Sequence, residues 1–258
     1  MWAPHHTMRD ERVTRPTGML TVIVEPFPHA PAPVPAAAAL KGDTTVQEPD
    51  RPERALARRV AEARATVPDV ELQHRIDAGA ILAVSRELRC SVTAVLAWAC
   101  ATALRECPHA NGAYRDGRFE RYSRVNLGIA VLTGGGLLTP TVLDADAKSV
   151  EQLSEEIARL RERARAGELT PPEQAGATFT LTDLGELGVD RWSTPPVAAQ
   201  AAALTAGAIR PAAVVRDGAP AAGHELSLTL VCDHRILFGA RAAEVLIRIA
   251  QLLESPRQ

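Results

Sequence analysis

The chain has 258 residues, 46% of them apolar, and a formal net charge of −2. That length is enough for one large domain or two small ones with a full-sized core, and the apolar share argues against a disordered chain. No window of about 18 uninterrupted apolar residues occurs, so no membrane-crossing helix is expected. The basic residues are interspersed with acidic ones, so neither a nucleic-acid nor an anionic-membrane surface is expected.

The N-terminal stretch MWAPHHTMRDERVTRP is charged and holds no apolar run of signal-peptide type. Cys90, Cys100, Cys107 and Cys232 show no CxxC spacing, and three of them, in apolar or helical contexts, read as buried thiols of a reducing, cytoplasmic compartment. Met19–Val24 predicts a short strand, and PFPHAPAPVPAAAAL after it an extended Pro- and Ala-rich segment. Residues 1–50 therefore read as an N-terminal extension and residues 51–258 as the main domain. From Arg54 onward, Leu56, Val60 and Ala63 recur at helical spacing among charged residues, which predicts an amphipathic helix ending before Pro68. Val70, Leu72, His74 and Ile76 alternate as in a half-buried strand. Helices are expected near 79–89 and 92–106. The second is N-capped by Ser91 and apolar nearly all round, hence central.

Asp116-Gly117 marks a turn before strands at Arg118–Tyr122 and Val125–Leu132, and Gly134–Gly136 separates these from a strand near 138–143. Ser149 and Gln152 form a capping-box pattern opening a helix that reaches Ala166. Thr178–Thr182 is a β-branched strand, Asp217-Gly218 a turn, and Glu225–Cys232 an alternating strand. A last helix, Ala240–Glu254, gathers Val245, Leu246, Ile249, Leu252 and Leu253 on one face. Strands and helices mix without strict alternation. This predicts an α/β fold of the α+β two-layer sandwich kind, a mixed sheet covered by helices.

Two segments can carry chemistry. In VCDHRILFGARAA, Val231–Ala243, a buried strand ends in Asp-His-Arg, which lets His234 project into a cleft, and imidazole suits proton abstraction from a hydroxyl or thiol. In GATFTLTDLGELG, Gly176–Gly188, Thr182 falls at a strand end, where its hydroxyl can donate to a developing oxyanion. Thr178 and Thr180 face the same test. Gly134–Gly136 is a turn and not a phosphate loop, because no GK[ST] or helix-opening GxGxxG follows. His5 and His6 read as solvated, His29 has no evident partner, His74 reads as a core or interface histidine, and no ligand spacing supports a metal site.

Taken together with ALARRVAEARATVPDVEL, SVTAVLAWACATALRECPHANGAY, RVNLGIAV and GGLLTPTVLDAD, these segments resemble the catalytic domain of dihydrolipoyl acyltransferases, and more distantly chloramphenicol acetyltransferase. The former are the acyl-transfer components of 2-oxoacid dehydrogenase complexes. The resemblance runs from about Arg54 to Glu254. It implies a chloramphenicol-acetyltransferase-like fold and a homotrimer with active sites between subunits. It also implies His234 as general base in the HxxxDG pattern and Thr182 as the hydroxyl that steadies the tetrahedral intermediate. Asn111 and Asn126 lie in matching segments without an assigned role. The chain departs from the pattern at Phe238, where the family has Asp. That Asp pairs with an arginine retained here as Arg59, so Arg59 has lost its partner unless Asp233 or another acid replaces it.

A swinging lipoyl domain needs roughly 80 residues, more than the first 50 offer. The reading that follows is a stand-alone enzyme without a covalent lipoyl group. It would move an acetyl group from acetyl-CoA to a hydroxyl of a small-molecule or carrier-bound alcohol acceptor, as in the tetronate branch of natural-product biosynthesis. The alternatives are a structural core for a dehydrogenase complex, or a lipoyl-dependent acyltransferase component of one.

Overall fold

Arg51–Thr66 forms α1, the first helix of the computed structural model, which describes residues 42–43, 45–134, 136–216 and 218–256. The chain divides into two units, Met1–Glu48 and Pro49–Gln258, and every element below belongs to the second. The strand expected at 19–24, the Pro- and Ala-rich segment, His5, His6 and His29 lie outside the described residues. α1 begins before Arg54 because Asp50 and Glu53 form a capping box. Glu53 N donates to Asp50 Oδ1 and Asp50 N to Glu53 Oε2, both at 2.8 Å. Among the described side chains of this helix only Ala63 is buried; its arginine-rich faces are exposed.

β1 (Asp69–Asp77), α2 (Gly79–Glu87) and α3 (Val92–Glu106) follow as the periodicity predicts. Ser91 caps α3 by accepting from Ala94 N at 3.2 Å, and α3 is buried on nearly every side. β2 (Gly112–Arg115) and β3 (Arg118–Arg121) form a separate hairpin. The single strand expected over Val125–Leu132 is broken into β4 (Leu127–Ile129) and β5 (Val131–Thr133). β4 joins the central sheet, and β5 leaves it to pair with β6 (Gly136–Leu138). β7 (Thr141–Val142) precedes α4 (Val150–Ala166), which starts on the expected Ser149/Gln152 capping box and stops at Gly167, held at φ 72°.

β8 (Phe179–Asp183), β9 (Ala202–Ala206), β10 (Arg210–Arg216), β11 (Ala219–Asp233) and α5 (Gly239–Glu254) complete the fold. The main sheet runs β1-β11-β9-β8-β4-β7, with β10 paired to the first half of β11. β8 is parallel to β4 and β9, while β11 is antiparallel to β9 and β1, so the sheet is mixed. Register and alternation give it two unlike faces. Leu127, Ile129, Phe179, Leu181, Leu204 and Leu230 point to the face packed by α3 and α5, in one continuous core. Phe179 and Leu181 are fully buried, each contributing about 1.5–3 kcal/mol. The opposite face carries Thr180, Thr182, Thr205 and Thr229. No helix among the described residues is long and apolar enough to cross a membrane.

Candidate functional site

β11 delivers His234 to one end of the sheet. Asp233 N donates to Ala201 O and His234 N to Pro68 O, both at 2.9 Å, and Ile236 N and Leu237 N return to Asp233 O at 3.1 and 2.9 Å. These bonds fix a tight turn with His234 at its outer edge. The His234 side chain is exposed and makes no hydrogen bond among the described residues. Its neighbours on either side clasp each other. Arg235 Nε donates to Asp233 Oδ1 at 2.9 Å, Nη2 to Oδ2 at 2.7 Å, and the Arg235 backbone N to Oδ1 at 3.0 Å. Asp233 is thus fully engaged with Arg235 at 4% exposure and does not pair with Arg59. Arg59 lies exposed on α1 and makes no ion pair among the described residues.

Phe238 occupies the N-cap of α5 and provides no side-chain cap. An Asp or Asn there would accept from the first-turn N–H groups, which Phe leaves to solvent. Its ring is 47% exposed, with the Arg241 guanidinium 5.0 Å above it.

Thr182 sits at the opposite end, on the last turn of the pleat in β8. The three candidate hydroxyls of this strand differ in what they touch. Thr178 Oγ1 donates to Asn126 O at 3.2 Å and accepts from Asn126 N at 3.0 Å, and Thr180 Oγ1 donates to Gln200 Oε1 at 2.9 Å. Thr182 Oγ1 makes no hydrogen bond among the described residues, although the residue is only 5% exposed. Of the three, it alone retains a donor to offer. The chain just after it is pinned to the helical layer. Asp183 Oδ2 accepts from Thr93 Oγ1 at 2.8 Å, Thr93 Oγ1 accepts from Arg161 Nη2 at 2.9 Å, and Asp183 Oδ1 accepts from Gly185 N at 2.9 Å. A Cβ on Gly185 would lie 2.7 Å from Gly207 O, so only glycine closes this turn.

The two residues do not meet within one protomer. Thr182 is in register with Thr205, and Thr205 with Thr229, while His234 follows five residues further along β11. Two strand spacings and five residue rises separate the two backbones by roughly 20 Å. His234 lies at the end of the sheet where β8 begins, Thr182 where β8 finishes.

The remaining candidates are structural. Asn126 joins three segments, donating from Nδ2 to Gly176 O at 2.9 Å and accepting at Oδ1 from Asp144 N at 3.0 Å. Asn111 Nδ2 fastens the β2–β3 hairpin through Tyr122 O and Arg124 O. His74 is half-buried on the edge strand opposite Leu228. The four cysteines are free, and burial pushes the Cys232 thiol up to about 12, which keeps it protonated and unreactive near neutral pH. Among the described residues no group of three or more His, Cys, Asp or Glu side chains could hold a metal ion. Sequence reasoning missed Arg235, Thr93, Asp183 and Arg161. The available signal was a threonine in the first turn of a mostly apolar helix and acids immediately flanking both Thr182 and His234.

Residues 41–258 match the family described as 2-oxoacid dehydrogenases acyltransferase (catalytic domain). A chloroplastic dihydrolipoyllysine-residue acetyltransferase component 5 of the pyruvate dehydrogenase complex, from Arabidopsis thaliana, is 34% identical over 74% of this chain and 42% of its own length. The corresponding Staphylococcus aureus component is 33% identical over 86% of this chain and 55% of its own. The chain thus spans about half the length of the curated relatives it matches. The crystallographic dihydrolipoamide acetyltransferase of Azotobacter vinelandii superposes with TM-score 0.81 at 28% identity, covering 88% of this chain and 98% of that one. The cubic core of the pyruvate dehydrogenase multienzyme complex gives TM-score 0.81 at 29% identity, with the same coverage. Chloramphenicol acetyltransferase, at 15% identity and TM-score 0.50 over 76% of this chain and 94% of its own, shares the fold. The relatives are named for acetyl transfer at a dihydrolipoyllysine residue, which corrects the expectation of a system with no covalent lipoyl group. By the extent of the match, the chain belongs to the 2-oxoacid dehydrogenase acyltransferase family, as its catalytic domain.

Proposed function

We propose that this chain is the lipoyl-dependent acyltransferase component of a 2-oxoacid dehydrogenase complex, moving an acyl group between a dihydrolipoyl thiol and coenzyme A. The names of its relatives favour this reading over stand-alone acetylation of an alcohol. The observation that carries the chemistry is the contrast within β8. The Thr178 and Thr180 hydroxyls are occupied, and the Thr182 hydroxyl has no hydrogen-bond partner among the described residues.

A dihydrolipoyl thioester, when bound, supplies the acyl group on a sulfur leaving group. A free imidazole and a free hydroxyl fit such a substrate, because transfer between thiols needs a proton relay and an oxyanion donor. His234 takes the proton from the coenzyme A thiol, so that its sulfur attacks the acyl carbonyl. Thr182 donates its O–H to the carbonyl oxygen as that atom gains negative charge. His234 then returns the proton to the departing dihydrolipoyl sulfur. Asp233 and Arg59 do not touch the reacting atoms in this scheme.

Because His234 and Thr182 lie at opposite ends of one sheet, a complete site takes His234 from one protomer and Thr182 from a second copy. We propose a homotrimer with each site between neighbours, a head-to-tail arrangement that closes into a ring. The reading is tested by offering acetyl-CoA with dihydrolipoamide and, separately, with hydroxylated small molecules, and measuring acetylated product by mass spectrometry. Turnover of the thiol is expected. Turnover of alcohols alone would return the account to a stand-alone enzyme.

A further inference from the structure

The turn that carries His234 is braced by side chains that form no part of the proton relay. Arg235 reaches back across His234 and grips Asp233 with both prongs of its guanidinium, at 2.9 and 2.7 Å. Its own backbone N–H binds the same carboxylate at 3.0 Å. The fork therefore closes a ring around the one residue between them, and His234 is the residue that this ring holds at its outer edge. The guanidinium plane is supported from the far side by Tyr114, whose ring centroid is 4.5 Å from Arg235 Cζ. Tyr114 comes from the β2–β3 hairpin and is itself packed on Phe119, with centroids 5.9 Å apart. Asp233 is 4% exposed and Arg235 31%, so the pair is shielded on the carboxylate side and is not a loose surface contact.

We infer that Arg235 and Tyr114 are positioning residues for His234. The Asp233–Arg235 fork, stacked on Tyr114, sets the direction in which the imidazole leaves the end of β11. The inference rests on the reading of His234 as general base, and it gives Asp233 a task other than pairing with Arg59. Its physical logic is that a proton relay depends steeply on geometry. A displacement of about 1 Å in a catalytic group costs on the order of a hundredfold in rate while leaving substrate affinity nearly intact. A planar fork fixes two directions at once, which a single ammonium cannot do.

The test uses the full chain, with steady-state kinetics of acetyl transfer from acetyl-CoA to dihydrolipoamide. Arg235→Lys keeps the positive charge facing Asp233 and Tyr114 but loses the fork. Tyr114→Leu removes the stacking ring, and Tyr114→Phe restores it without the hydroxyl. The expected result is a fall in kcat of roughly tenfold or more for Arg235→Lys and Tyr114→Leu, with KM for acetyl-CoA within about twofold. Tyr114→Phe should recover most of the loss. If Tyr114→Leu fails to fold, Arg235→Lys decides alone. A wild-type kcat in folded Arg235→Lys, beside an inactive His234→Ala, would overturn the positioning role and leave the base assignment standing. A raised KM at unchanged kcat would make Arg235 a substrate-binding cation and would also overturn it. Full activity in His234→Ala would overturn both.

Discussion

The two ends of the central sheet hold the two candidate side chains in opposite ways. At the His234 end the side chain is exposed, and its neighbours are held by a fork and a stacked ring at the surface. At the Thr182 end the side chain is buried, and the chain behind it is held by Thr93 and Arg161 reaching from the helical layer. Each end uses a carboxylate adjacent in sequence to the functional residue: Asp233 before His234, Asp183 after Thr182. The difference teaches where function and stability separate. Removing the exposed His234 side chain should alter chemistry alone, whereas changes behind the buried Thr182 should reach folding as well.

Substitutions at four positions sharpen or break that contrast. His234→Ala should lower turnover by roughly a hundred- to ten-thousand-fold. Its unfolding free energy should stay within about 0.5 kcal/mol of the parent in urea titration, because the side chain is exposed. A large loss of stability would erase the distinction between the ends. Thr182→Ala should cost on the order of a hundred- to a thousandfold in kcat, and Thr182→Ser should retain most of the rate, as measured by the same kinetics. Thr93→Val removes the hydroxyl that joins Asp183 to Arg161. It should destabilise the protein by about 1–3 kcal/mol, seen as a lowered thermal midpoint, with a smaller effect on rate than Thr182→Ala. Phe238→Asp should do the reverse on a small scale. An N-cap acceptor at the start of α5 should add about 1 kcal/mol of stability, measured by denaturant unfolding.

Much of the architecture was readable where one local signal dominated. The Ser149/Gln152 box and the left-handed Gly167 bound α4 at both ends, and apolar residues on every side marked α3 as central. β9 was invisible for a physical reason. AALTA has neither β-branched enrichment nor alternation, and it becomes a strand only because β8 and β11 bury it on both sides. The split between β4 and β5 is likewise a tertiary decision, made when Ala130 N turns to Leu181 O. His234 and Thr182 could be picked out of the sequence as candidates, but their placement at opposite ends of one sheet could not, because pairing register is a long-range property. The fork across His234 was missed for a different reason. Asp-His-Arg reads as one motif, and only the backbone of the turn brings its outer two side chains together.

The central claim is that one protomer's imidazole works with another's hydroxyl, and co-expression of His234→Ala and Thr182→Ala chains tests it most directly. Each variant alone lacks one half of every site. In randomly mixed oligomers about a quarter of the interfaces would join an intact His234 to an intact Thr182, so about a quarter of parental activity should return. No recovery from assemblies verified to contain both chains would contradict a site shared between protomers.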